Sequence, residues 1–237
     1  MVVEKELKII DVIPRRGNAK SFRMINENGV SFRAGQYLLL TAEIEGERQK
    51  KAFSFSSSPA DSSVIEFTKR ITGSAFSRYL DRLGPGDLVE VRMPFGDFTF
   101  KSGTERAAFF AAGIGITPFR SILSFIYDTG AREDIMLLYG SASEKDIIFK
   151  EDFDRMSSRD SGIKVVYCIT SDNGELADPK SEAGYIDKKM IIGNIKDLKS
   201  RRCYVSGPPK MVEAVTGVLR DLSVQPDMIE TERFRGY

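Results

Sequence analysis

The chain has 237 residues, 41% of them hydrophobic and 29% charged, which suits two soluble globular domains with real cores. Thirty-five Lys and Arg against 34 Asp and Glu leave a net charge of +1, so neither nucleic acid nor an anionic membrane is expected as the main partner. The absence of histidine excludes imidazole bases and His-bound metals, and two cysteines are too few for a four-thiolate iron–sulfur cluster.

The opening MVVEKELKIIDV carries acids early and alternates like a strand, so no signal peptide is expected. Short strands follow: Leu38 to Leu40 after the Ala34-Gly35 turn, Ala52 to Ser56, Val64 to Ile71, Asp87 to Arg92, and Phe98 to Phe100 after the turn Pro94 to Asp97. Gly and Pro punctuate them, as in an antiparallel barrel or sandwich. One helix interrupts, Ala75 to Leu83, with Phe76, Tyr79, Leu80 and Leu83 on one face.

The texture changes near residue 102. Ala107 to Ala112 is a continuous apolar run, the mark of a strand covered on both faces; Ile135 to Tyr139 is the next buried strand, and Ile163 to Ile169 and Arg202 to Val205 are a third and a fourth. Helices alternate with them. Thr117 to Tyr127 turns Phe119, Ile122, Leu123 and Ile126 inward, Phe149, Phe153 and Met156 mark a second, and Pro208 to Leu222 turns Met211, Val215, Val218 and Leu222 inward. This order predicts a doubly wound parallel sheet. The domains expected are therefore 1–102, an antiparallel β-barrel, and 103–237, an α/β unit. Cys168 and Cys203 read as small buried apolar residues, and no metal site is expected. No apolar run approaches the roughly 20 residues of a membrane helix, so membrane insertion is not expected and the cytoplasm is the expected location. With no imidazole and no metal, chemistry must come mostly from a bound cofactor.

Four segments could hold it. Ala111 to Pro118 (AAGIGITP) joins a buried strand to a helix; its glycines allow close backbone approach, and the helix start offers free N–H groups to a pyrophosphate. Thr117 is the expected N-cap there. A ligand-free βα turn reads the same way. Ser206 to Met211 (SGPPKM) repeats the arrangement after another buried strand, and neighbouring loops of a parallel sheet converge on one crevice. In the barrel, Lys51-Ala52-Phe53-Ser54-Phe55-Ser56 places Lys51, Phe53 and Phe55 on one strand face, a cation beside flat rings, though a core strand with a solvated lysine gives the same pattern. Lys69-Arg70-Ile71-Thr72-Gly73-Ser74-Ala75-Phe76-Ser77 sets two cations before a Gly-Ser turn and a helix start, an anion-binding geometry or a plain hairpin edge capped by Ser74.

In this order the four segments resemble the ferredoxin–NADP reductase superfamily of FAD-binding oxidoreductases, over nearly the whole chain. The resemblance implies FAD on the barrel and NADH or NADPH on the α/β domain, with hydride passing from nicotinamide to flavin. Lys51-Ala52-Phe53-Ser54 is similar to the first flavin motif, Arg-x-Tyr-Ser. By that likeness Phe53 stacks on the isoalloxazine, Ser54 sits near N5, and Lys51 meets the pyrophosphate without arginine's bidentate fork. Thr68, Lys69, Ile71 and Gly73 to Ser77 match the second flavin segment, whose backbone N–H groups and Ser77 hold FAD phosphates. Gly113, Gly115 and Thr117 match the nucleotide loop, and Ser206, Gly207, Pro208 and Met211 match a Cys-Gly-Pro-Pro-x-Met motif with Ser206 in place of the cysteine near the nicotinamide. The ending TERFRGY is similar to members that finish in an aromatic over the flavin, here Phe234 or Tyr237. Ser54, Ser206 and Tyr237 are thus implied nearest the chemistry.

The stretches after the second and third strands, Gly140 to Ser143 and Thr170 to Asp172, hold no arginine for a 2′-phosphate. Ser141 and Asp172 suit ribose hydroxyls, and the reading favours NADH, with Lys145 and Lys150 keeping NADPH open. No iron–sulfur or haem carrier domain is expected in these residues, so electrons are expected to leave to a ferredoxin, a flavodoxin or a small-molecule acceptor. Two alternatives stand beside this: a flavin or ferric reductase with loosely held flavin, and a non-catalytic nucleotide-binding subunit of an electron-transfer complex.

Overall fold

The computed structural model describes residues 2–27, 29–101, 103–157, 162–171 and 176–234. The first half is a six-stranded antiparallel sheet curled on itself. Its strands are β1 (Val3–Arg15), β2 (Ala19–Ile25), β3 (Tyr37–Ile44), β4 (Glu47–Ser54), β5 (Val64–Arg70) and β6 (Leu88–Phe95), in the order β4-β3-β6-β1-β2-β5. A bridge between Phe55 and Phe67 brings the two edge strands together. Alternation sends Leu40, Phe53, Phe67 and Val91 inward with Phe22 and Phe55, and all are buried. Helix α1 (Ala75–Arg82) plugs one end with Phe76 and Leu80, with Tyr79 and Leu83 packed alongside. Ser74 caps it, its Oγ accepting from the Ser77 amide at 3.2 Å.

The second half is a six-stranded sheet, parallel throughout, in the order β10-β9-β8-β7-β11-β12. Its strands are β7 (Arg106–Ala112), β8 (Asp134–Ser141), β9 (Ile163–Ile169), β10 (Ser181–Ala183), β11 (Arg202–Gly207) and β12 (Ile229–Arg233). Helices α2 (Thr117–Thr129), α3 (Lys150–Ser157), α4 (Lys188–Asn194) and α5 (Pro209–Asp221) cover it. Both faces of β7 are buried: Phe109 joins the α2 and α3 side with Phe119 and Ile122, while Phe110 joins the α5 side with Val215 and Leu219. Strand order reverses beside β7, so the loops after β7 and β11 open on one crevice.

Three local expectations are corrected. Phe98 to Phe100 is not a strand, because Gly96, at φ +95°, turns the chain off the barrel. Phe98 instead packs edge-on against Phe119 at 5.7 Å and Tyr204 at 5.8 Å, in the core of the α/β half. Thr117 is not the N-cap of α2: a 3₁₀ turn over Gly113–Ile116 runs into the helix, Ile116 takes the cap position, and the Thr117 hydroxyl donates to the Ile114 carbonyl at 3.1 Å. The inner face of α5 is Val212, Val215, Thr216 and Leu219, rotated from the expected one. Met211 and Val218 are only partly buried because they face a cleft.

Candidate functional site

Two clefts flank the end of β11 and β12. The first, about 470 Å³, is floored by Lys51, Ala52, Phe53 and Ser54 of β4 and by Lys69 of β5. Ser74, Ala75 and Phe76 bring the start of α1 to it, and with it the free amides and partial positive charge of a helix N-terminus. Glu232, Arg233 and Phe234 close it from the α/β half. Phe53 reaches this cleft with its ring already packed in the barrel, 4.9 Å from Phe67 and 6.1 Å from Phe76.

The electrostatics of this cleft are unusual. Lys69 is 7% exposed; burial, with the neighbouring Arg70 and Lys51 cations, pushes its ammonium down to about 8. Burial pushes the Glu232 carboxyl up to about 8, and its Oε2 has no hydrogen-bond partner. Glu232 pairs in register with Ser206 of β11, whose Oγ is likewise buried and unpartnered. A concentration of positive charge and polar groups short of partners is the signature of a ligand site.

The second cleft, about 570 Å³, gathers Gly113, Gly140, Ser141, Thr170, Pro208, Lys210 and Met211 at the carboxyl ends of β7, β8, β9 and β11. Tyr185, 75% exposed, and Asp187 stand at its α4 side. Arg70 comes to it from the barrel. Lys69 and Arg70 are adjacent on β5, and the pleat sends one to each cleft.

Several expected residues support the clefts rather than line them. Thr68 is buried, its hydroxyl 2.7 Å from that of Ser21 and 2.8 Å from that of Ser56. Ser77 is buried, its hydroxyl 3.0 Å from that of Thr72. Ile71 donates its amide to Asn18, and Gly73 is an exposed turn residue. Gly115 abuts Gly207 behind the nucleotide loop. Asp172 and Tyr237 lie outside the described residues. Sequence reasoning marks neither Glu232 nor Tyr185, and it sets Arg70 beside Lys69 at the barrel's own anion-binding turn, not at the nucleotide cleft. Glu232 had a signal in the strand alternation of its segment, whereas the roles of Arg70 and Tyr185 depend on which lobe faces which. Among the described residues no helix is long and apolar enough to cross a membrane, and no group of three or more Cys, Asp and Glu is placed to hold a metal.

An antiparallel barrel with a basic cleft, joined to a parallel sheet with a glycine-lined one, defines a two-lobed flavin and nicotinamide oxidoreductase. Comparison with known proteins agrees: residues 13–100 match the oxidoreductase FAD-binding domain and residues 109–217 the oxidoreductase NAD-binding domain. The chain belongs to the ferredoxin–NADP reductase superfamily of FAD- and NAD(P)-dependent flavoprotein oxidoreductases. It is 28% identical over 217 residues to the toluate 1,2-dioxygenase electron transfer component of Pseudomonas putida, covering 91% of this chain and 62% of that protein. It is 29% identical over 223 residues to ferredoxin–NADP reductase B of Sorangium cellulosum, covering 90% of each. A ferredoxin NADP+ reductase of Neisseria gonorrhoeae, solved with FAD and NADP bound, shares the fold at TM-score 0.81 and 20% identity, over 97% of this chain and 98% of that one. The chain thus spans less than two thirds of the oxygenase-reductase relative's length.

Proposed function

We propose that this protein oxidises a reduced nicotinamide nucleotide, NADH by preference, and passes the electrons through FAD to a separate carrier protein of the ferredoxin or flavodoxin kind or to a small-molecule acceptor. One observation carries the reading: each cleft is built mainly by one lobe and completed by the other, so ligands in the two clefts meet at the seam. Residues 1–102 serve the flavin and 103–237 the nucleotide, in the cytoplasm.

The residues present fit a flavin dinucleotide. Lys51, Lys69 and the α1 start offer charge to a diphosphate, Phe53 and Phe234 offer flat apolar walls, and the Glu232 oxygen lacks a partner. FAD, when bound, accepts hydride from nicotinamide and releases electrons singly or in pairs. Lys51 and Lys69 hold its diphosphate, backbone amides at Ser74 to Phe76 share that charge, and the Ser54 hydroxyl stands ready for a ring nitrogen. Glu232, protonated below about pH 8, offers an O–H to an acceptor atom at the cleft floor. Gly113, Gly207, Pro208 and Met211 seat the nucleotide, and Ser206 orients its reactive end. The family resemblance assigns Tyr237 the role of a cover for the ring.

The NADH preference rests on the β8 and β9 loops. Ser141 and Thr170 line the cleft with hydroxyls, and Lys150 is committed to Asp154 at 2.6 Å and to Asp178 rather than offered to a 2′-phosphate. Asp172 supports it by charge. The test is anaerobic titration of the purified holoprotein with NADH and, separately, NADPH, following the bleaching of the flavin colour. Faster bleaching by NADH supports the reading; a protein that binds no flavin and consumes neither nucleotide ends it. Flavin lost on gel filtration but restoring activity when added back points to flavin as substrate.

A further inference from the structure

Helix α2 begins at the nucleotide loop and touches the barrel within its first turn. Arg120 stands three residues after Thr117. Its Nε and Nη2 both donate to Asp152 Oδ2 of α3 at 3.1 Å, an anchor within its own lobe. Its Nη1 crosses the seam, donating to Glu66 Oε1 of β5 at 3.0 Å and to the Ser56 carbonyl. Phe149 lies 4.7 Å beneath the guanidinium. Ser121 adds a second crossing, donating to the Ser57 carbonyl at 2.6 Å. The Arg120 side chain is 15% exposed and that of Glu66 4%.

Ser56 is two residues beyond Ser54, which lines the flavin cleft. Gly115 and Gly113 lie five and seven residues before Arg120. The guanidinium therefore ties the segment that shapes one cleft to the segment that shapes the other. Glu66 is bound on the barrel side by more than this one cation: Arg15 lies at 3.6 Å, Arg23 at 3.9 Å, and the Ser56 hydroxyl donates to it at 2.8 Å. A buried ion pair of this kind adds little net stability compared with an apolar contact, but its fixed fork specifies one geometry.

We propose that Arg120 is a positioning residue, holding the two clefts at the separation and angle that hydride transfer requires; this rests on the reading that the first holds FAD and the second the nucleotide. It touches neither ligand site. Transfer is steep in distance, and a displacement of about 1 Å costs on the order of 100-fold. Loss of the fork therefore slows transfer far more than it weakens either ligand, because each cleft is built mainly within one lobe and Arg120 lines neither.

The experiment uses R120Q and R120K in the full chain. The cysteine pair Glu47→Cys and Lys199→Cys, one exposed site on each lobe, carries spin labels for a distance measurement. The native thiols are buried, with burial pushing each up to about 12, and do not compete for label. In R120Q we expect a broadened inter-lobe distance distribution, flavin reduction slowed roughly tenfold or more, and NAD+ affinity within about twofold of the unaltered protein. R120K, with charge but no fork, falls between. A rate within about twofold of the original, or an unchanged distance distribution, overturns the proposal; so does a loss confined to nucleotide affinity. If R120Q does not fold, D152N releases the guanidinium from its own lobe and should slow reduction roughly threefold; no slowing there overturns it equally. Should the unaltered protein fail to oxidise either nucleotide, the functional reading falls, and the distance measurement alone still decides whether Arg120 sets the lobes.

Discussion

Gly115 lies so close to Gly207 that a Cβ on the first would stand 2.5 Å from the Cα of the second and 2.6 Å from the Ser206 carbonyl oxygen. The contact is backbone against backbone, where β11 passes the turn after β7, so no side chain can move aside. Gly115→Ala forces these two loops apart. The expected result is a destabilisation of about 1–3 kcal/mol and weaker nucleotide binding, read by thermal unfolding and by NAD+ titration. An unchanged melting temperature together with unchanged affinity would show slack between the loops that the structure does not contain.

Lys69 and Arg70 give a crossed pair. Arg70 faces the nucleotide cleft with its Nε buried and unpartnered, whereas Lys69 faces the flavin cleft. Arg70→Ala should weaken nucleotide binding about tenfold, the scale of one charge-assisted hydrogen bond, and leave FAD affinity alone. Lys69→Met should do the reverse. Parallel titrations with FAD and NAD+ decide it, and equal losses for both ligands in either variant would contradict the assignment.

The Lys69 ammonium sits at about 8, below the ordinary lysine value, because burial and two nearby cations disfavour the charge. The charged form therefore costs stability at pH 7, and this cost is relieved as pH rises through 8, where the folded chain loses a proton that the unfolded chain keeps until about 10.5. A diphosphate in the cleft reverses the balance by favouring the cation. FAD affinity should fall as pH rises past 8, by up to about tenfold per pH unit, and Lys69→Met should flatten that slope. A flat profile in the unaltered protein would remove Lys69 from the diphosphate site.

Glu232 titrates in the opposite sense. Its folded carboxyl is raised to about 8 by burial from an ordinary 4.5. Between those values the folded protein holds a proton that the unfolded chain has lost, so stability declines as pH rises through this window, with the full cost reached above about 8. Each pKa unit is worth about 1.4 kcal/mol before allowance for water in the cleft. Glu232→Gln keeps a neutral polar group and should make the ligand-free protein more stable at pH 8 than at present, with no gain at pH 4.5. Chemical denaturation at the two pH values measures this. Flavin reduction by NADH should meanwhile lose the pH dependence that Glu232 imparts.

The sequence by itself determined both lobes and the segments that line the clefts. Strand alternation in the first hundred residues, apolar-rich strands alternating with helices in the rest, and glycines before helix starts are local patterns, set by the pleat, by burial on two faces and by backbone access. They locate Lys51 to Ser54, Gly113, Pro208 and Met211, all of which line the clefts. What they could not show is which side chains of one lobe face the other. Phe98 reads as a strand residue and is packing for the α/β core; Arg70 reads as a cation of the barrel's own anion-binding turn and faces the nucleotide cleft, while nothing in the local pattern marks Arg120, which crosses the seam. Thr68 and Ser77 were placed on the ligand by resemblance, while the fold commits their hydroxyls to Ser21, Ser56 and Thr72. Tertiary structure decided these points because they depend on how two separately patterned units dock, and pairings such as Glu66 with Arg120 join residues 54 positions apart, across which the chain carries no local signal.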